Sequence, residues 1–154
     1  MAHTTGKSTF DVMVVEDDNT YLSFWKRFLN DMGITNYTLI TNPYKAKDLL
    51  IKGGCRLLIS DINLPDINGY ELAKVAHEHS VDCEVILTTA YLANLSRFDI
   101  GTCSFHLLYK PFSNLEELAK LIKLLTGGDV SMEDMSEDSF SENEDFPMVT
   151  EWKL

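Results

Sequence analysis

The chain has 154 residues, 45% of them hydrophobic, and a formal net charge of −11. That length supports one sizeable core rather than two, and no apolar run approaches the roughly 20 residues that span a bilayer. Residues 129–154 carry nine acids and one base (net −8), while residues 1–128 carry fifteen acids and twelve bases (net −3), so neither part offers the basic surface that nucleic acid or an anionic membrane requires.

Met1 to Phe10 is polar and lacks the apolar core of a secretory signal. The three cysteines, Cys55, Cys83 and Cys103, are far apart in sequence. Their odd number argues against a disulfide framework and for a reducing, cytoplasmic setting, with all three as small buried residues.

Five short apolar runs follow in order. They are Asp11–Val15, Tyr37–Thr41, Arg56–Ser60, Glu84–Thr88 and Ser104–Leu108. Near-continuous apolar strands of this kind belong to a parallel sheet covered on both faces. Helical patterns separate them. Tyr21, Leu22, Trp25, Phe28, Leu29 and Met32 fall at helical spacing, with Gly33 as the stop. Asn42-Pro43 reads as N-cap and first helical residue, and Gly53-Gly54 closes that helix. Asn68 opens a helix through Leu72, Val75 and Ala76, and a shorter one is expected between Tyr91 and Ile100. Ser113-x-x-Glu116 forms a capping box before the stripe Leu115, Leu118, Ala119, Ile122 and Leu125. Gly127-Gly128 ends this body.

Beyond it the sequence turns acidic and loses its period, so residues 127–154 read as a flexible tail. Phe140, Phe146, Met148, Val149 and Trp152 are spaced among its acids. Three readings stay open for the segment: a solvated tail, a docking peptide for a basic partner surface, or a strip that folds back on its own domain through Phe146-Pro147-Met148 and Trp152.

Alternating β/α units give a doubly wound α/β sheet, whose binding crevice lies beyond the carboxyl ends of the strands. Those ends carry Glu16-Asp17-Asp18, Asp61, Thr88-Thr89 and Lys110-Pro111. Crowded carboxylates repel unless a divalent cation relieves them, and hard oxygen ligands suit magnesium. A carboxylate can also attack a phosphoryl group to form an aspartyl phosphate, with the cation and a lysine stabilising the added charge.

Val14-Val15-Glu16-Asp17-Asp18, the stretch from Ile59 through Asp61, Pro65 and Gly69 to Leu72, then Leu87-Thr88-Thr89-Ala90 and Tyr109-Lys110-Pro111-Phe112 together resemble the receiver domain of bacterial response regulators, of the chemotaxis-regulator-like single-domain type. The resemblance covers residues 8–126. It implies a flavodoxin-like fold with a five-stranded parallel sheet in the order 2-1-3-4-5. It implies that Asp61 is the phosphoacceptor and that magnesium is held by Glu16, Asp17, Asp61 and the backbone carbonyl of Asn63. Thr89 would bond the phosphoryl group beside the small Ala90, and Lys110 would pair with it. The Lys110–Pro111 peptide would be cis, and Asp18 reads as a helix N-cap. Side chains at Asn63 and Tyr91 would tune attack by water. The implied partners are a histidine kinase or phosphotransfer protein and an unnamed downstream protein, with no nucleic acid and no membrane insertion. One departure stands out: the family's inward-swinging aromatic, three residues before the lysine, is Leu107 here.

Gly6-Lys7-Ser8 lacks the first glycine and the preceding strand of a phosphate-binding loop. His77 and His79 do not share a helix face, so the pair reads as solvated rather than metal-binding. Two rival functions stay open. One is a constitutive interaction or scaffold module with this fold. The other is a magnesium phosphohydrolase, which would place an acid where Asn63 stands.

Overall fold

The computed structural model describes residues 8–80, 82–90 and 104–127, and the backbone of 148–152. In chain order the elements are β1 (Phe10–Val15), α1 (Asn19–Asp31), β2 (Tyr37–Ile40), α2 (Pro43–Lys52), β3 (Cys55–Asp61), α3 (Gly69–His79), β4 (Glu84–Thr89), β5 (Phe105–Tyr109), α4 (Leu115–Leu125) and β6 (Met148–Trp152). The first five strands are parallel in the order β2-β1-β3-β4-β5. The helix expected between Tyr91 and Ile100 lies outside the described residues, as do Gly6, Lys7 and Cys103.

Strand alternation sorts the core into two layers. Met13, Val15, Leu58, Val85, Leu87 and Leu107 pack on one face with Ala46 and Leu50 of α2 and Leu72 and Ala76 of α3. Val12, Val14, Leu57, Ile59, Ile86 and Leu108 pack on the other with Trp25 and Leu29 of α1 and Leu118 and Ile122 of α4. Each large side chain so buried stabilises the fold by about 2 kcal/mol before entropy is counted. The Trp25 and Phe28 stripe is therefore core.

Side-chain caps set the helix starts. Asp18 accepts from Thr20 N at 2.7 Å, Asn42 from Tyr44 N at 2.9 Å and Asn68 from Glu71 N at 3.0 Å. The last helix differs from the expected capping box. Asn114, not Ser113, is its cap and accepts from Glu117 N at 3.1 Å. Asn and Ser are comparable caps, and starting one residue later buries Leu118, Leu121 and Ile122 while Leu115 stays exposed.

His77 is not a solvated side chain. Its Nε2 donates to the Ser104 carbonyl at 2.9 Å and ties α3 to the entry of β5. Cys55 and Cys83 are buried and free, with Sγ atoms 3.9 Å apart, well beyond a disulfide bond of about 2.05 Å.

The sheet goes one strand further than the expected five. β6 runs antiparallel along β5, pairing Met148 with Leu108 and Trp152 with Phe105, with an irregularity between Phe105 and Leu107. These residues belong to the segment read from sequence as tail. They sit against an edge whose unpaired N–H and C=O groups are a template for an added strand. No helix among the described residues is long and apolar enough to cross a membrane.

Candidate functional site

Parity carries from the core into the crevice. Glu16, Asp61 and Lys110 continue the alternation of Val14, Ile59 and Leu108, which puts all three on the side covered by α1 and α4. The strand ends bring their side chains together. Lys110 Nζ donates to Glu16 Oε2 at 2.6 Å and to Asp61 Oδ2 at 3.0 Å. Backbone groups hold the remaining carboxylate oxygens: Asp18 N donates to Glu16 Oε1 at 3.1 Å and Asn63 N donates to Asp61 Oδ1 at 2.9 Å.

The charges are deeply placed. Glu16 and Lys110 side chains are 1% and 7% exposed, whereas Asp17 is exposed to solvent. Burial, helped by the charge of Asp61, raises the Glu16 pKa against the opposing pull of Lys110. Burial works against the Lys110 ammonium, yet its bonds to Glu16 and Asp61 outweigh it and hold its pKa above the ordinary value. Burial thus decides the direction for Glu16, and the two carboxylates sharing one cation decide it for Lys110.

Glu16, Asp17 and Asp61 each bring an oxygen within 4.8 Å of the others. Three hard carboxylate donors, one of them open to solvent, fit a small divalent cation that keeps some of its waters. Thr89 is buried beside them and its Oγ1 accepts from Asn63 Nδ2 at 3.2 Å. The Lys110–Pro111 peptide is cis. Leu107 is fully buried, and Tyr91 lies outside the described residues.

The loop after Asp61 has its own requirements. Ile67 N bonds the Pro65 carbonyl at 2.8 Å around Asp66, which takes φ 69°, a left-handed conformation that Asp tolerates better than most residues. Gly69 N then returns to the Ile62 carbonyl at 3.0 Å. A Cβ on Gly69 would lie 2.6 Å from the Asp61 carbonyl oxygen, so only glycine lets α3 start so close to the acceptor strand.

One contact at the site was not legible in the sequence. The Tyr21 ring, third residue of α1, lies under Lys110 Nζ with 4.1 Å to its centroid. Sequence reading placed Tyr21 in the apolar stripe of α1.

A doubly wound parallel sheet with an acid cluster, a buried threonine and a lysine at its carboxyl edge defines a receiver-type signalling module. The response regulator receiver domain model matches residues 12–123, and the chain belongs to that family of phosphoryl-accepting signalling domains. Among relatives, a probable transcriptional regulator, ycf29 of Pyropia yezoensis, is 31% identical over 88% of this chain and 62% of its own length. The transcriptional regulatory protein CusR of Escherichia coli K12 is 27% identical over 76% of this chain and 52% of its own. This chain thus spans little more than half of those proteins. The response regulator receiver protein CpdR of Brucella abortus is 28% identical over 74% of this chain and 95% of its own. Among solved structures, the receiver domain of the sensor histidine kinase PA1611 from Pseudomonas aeruginosa PAO1 has a TM-score of 0.65 at 19% identity, covering 80% of this chain and 100% of that one. That structure holds a magnesium ion coordinated in its active-site cleft.

Proposed function

We propose that this chain accepts a phosphoryl group on Asp61 from a histidine kinase or phosphotransfer protein and passes the signal on by binding another protein. The observation that carries this reading is the Lys110 bridge between Asp61 and Glu16, beside an exposed Asp17. An Asp61 carboxylate oxygen forms the new P–O bond as the donor's P–N bond breaks. The electron pair of that bond leaves with the imidazole, which takes a proton. Lys110 turns from carboxylate to phosphoryl oxygen, and Thr89 Oγ1 exchanges Asn63 for the same group.

Glu16, Asp17, Asp61 and the Asn63 backbone carbonyl would hold magnesium. When bound, the ion supplies charge neutralisation for the carboxylates and the incoming phosphoryl oxygens. The chain acts on itself, in phosphorylation and dephosphorylation, and works in the cytoplasm. Residues 8–126 form the receiver, and the acidic segment 127–154 rejoins its sheet at 148–152 as β6. No nucleic-acid partner belongs to this reading, since a net charge of −11 opposes binding to a polyanion.

Leu107 bears on a second reading, a scaffold module not switched by phosphorylation. It is already buried, with no aromatic ring to move inward. Treatment with acetyl phosphate and magnesium separates the two. The main reading expects an alkali-labile phosphoryl label and a change in partner affinity, whereas label without any change in affinity supports the scaffold.

A further inference from the structure

Lys110 is handled unusually for a lysine with so little exposure. Two of its three N–H donors have carboxylate acceptors. The Tyr21 ring stands 4.1 Å from the ammonium, centroid to nitrogen. The negative face of an aromatic ring attracts a cation, and more so where water is excluded.

The ring is itself held in place. Phe112, two residues after Lys110, meets Tyr21 edge-on at 5.6 Å and 77°. Phe112 is fixed in turn against Phe24 and Trp25, each at 5.3 Å, and Trp25 is fully buried. A continuous aromatic path therefore runs from the core beneath α1 to the lysine. Tyr21 belongs to α1, which starts immediately after the acids of β1. Lys110 and Phe112 belong to the connection from β5 to α4.

We infer that Tyr21 is a positioning residue for Lys110 in phosphoryl uptake, an inference that rests on the function proposed above. Transfer onto Asp61 requires the ammonium to leave Glu16 for a phosphoryl oxygen without escaping into solvent along its flexible stem. A ring face has no fixed hydrogen-bond direction, so it accommodates the ammonium in both positions. A carboxylate or carbonyl in the same place would compete with the phosphoryl group for it. The ring thus narrows the range of the lysine without holding it to one acceptor.

The test is the rate of phosphoryl uptake from acetyl phosphate at saturating magnesium, in the full chain. Tyr21→Phe keeps the ring and is expected to stay within about twofold of wild type. Tyr21→Leu is expected to be slower by roughly three- to tenfold. Pentafluorophenylalanine at position 21 keeps the shape of the ring but reverses its quadrupole, and should be slow like leucine. That variant keeps the test decisive should Tyr21→Leu fail to fold, because a purely packing role would leave it as fast as Tyr21→Phe. If either slow variant matches wild type, the inference is overturned while the proposed function stands. If wild type takes up no phosphoryl group, the proposed function is overturned, and this inference with it.

Discussion

The Lys110 ammonium donates a 2.6 Å hydrogen bond to Glu16 Oε2, linking the end of β5 to the end of β1 with β3 and β4 between them. The same nitrogen reaches Asp61. Removing it would leave two buried carboxylates without their cation. Lys110→Met is expected to destabilise the metal-free protein by about 3 kcal/mol, the scale for breaking a buried ion pair, and magnesium should recover part of that loss. Urea unfolding with and without the ion measures both. A variant as stable as wild type in chelator would show that the bridge contributes nothing.

Magnesium should stabilise wild type by mass action, by about 1.4 kcal/mol at tenfold excess over Kd. Asp17→Asn removes a carboxylate from the cluster. It should raise the metal-free melting temperature slightly and weaken the response to the ion. A melting temperature indifferent to magnesium up to roughly 10 mM would count against the site.

The raised pKa of Glu16 has a definite sign in stability. Above its ordinary value of 4.5 and up to its folded value, the folded state holds a proton that the unfolded state has released. Stability therefore falls as pH rises through that window. Lys110, also raised, contributes stability below 10.5 that is lost as pH rises through its folded value. Denaturation of metal-free wild type and Glu16→Gln across pH 4.5 to neutrality checks the first point. The variant should lose the decline that belongs to Glu16. Parallel curves would refute the assignment.

β6 covers the edge of β5 from Leu108 to Phe105. Truncation after Gly128 should therefore speed amide exchange on the outer edge of β5, and residues 148–152 of the full chain should exchange more slowly than free peptide. Coil-like exchange at 148–152 would make the segment a free tail. If truncation leaves every partner and its affinity unchanged, the tail has no docking role.

Much of this was legible in the sequence, because each β/α unit carries its own local signals. Asp18, Asn42 and Asn68 cap their helices as read, Asn42 being marked by the Pro43 that follows it. Ser113 and Asn114 are two such residues side by side, and only packing chose between them. The acids, Thr89 and Lys110 could be placed because a parallel sheet sends every strand end to one edge. What escaped depends on contacts between distant segments. Tyr21 under Lys110, His77 on Ser104 and Cys55 beside Cys83 pair residues whose separation in sequence carries no period. A fold-back at Met148 and Trp152 was one reading of the tail, but its strand form and its place beside β5 were not legible, because an edge strand of five residues needs no alternating pattern when β5 supplies its partners.

The central claim, that Asp61 is the acceptor, is tested most directly by reductive mapping. Protein treated with acetyl phosphate and magnesium is reduced with borohydride, which converts an aspartyl phosphate to homoserine, and its peptides are weighed. Wild type should gain a single phosphoryl group in intact mass and yield homoserine at position 61 only, whereas Asp61→Asn should yield none. Reduction at another position, or equal labelling of Asp61→Asn, would contradict the account.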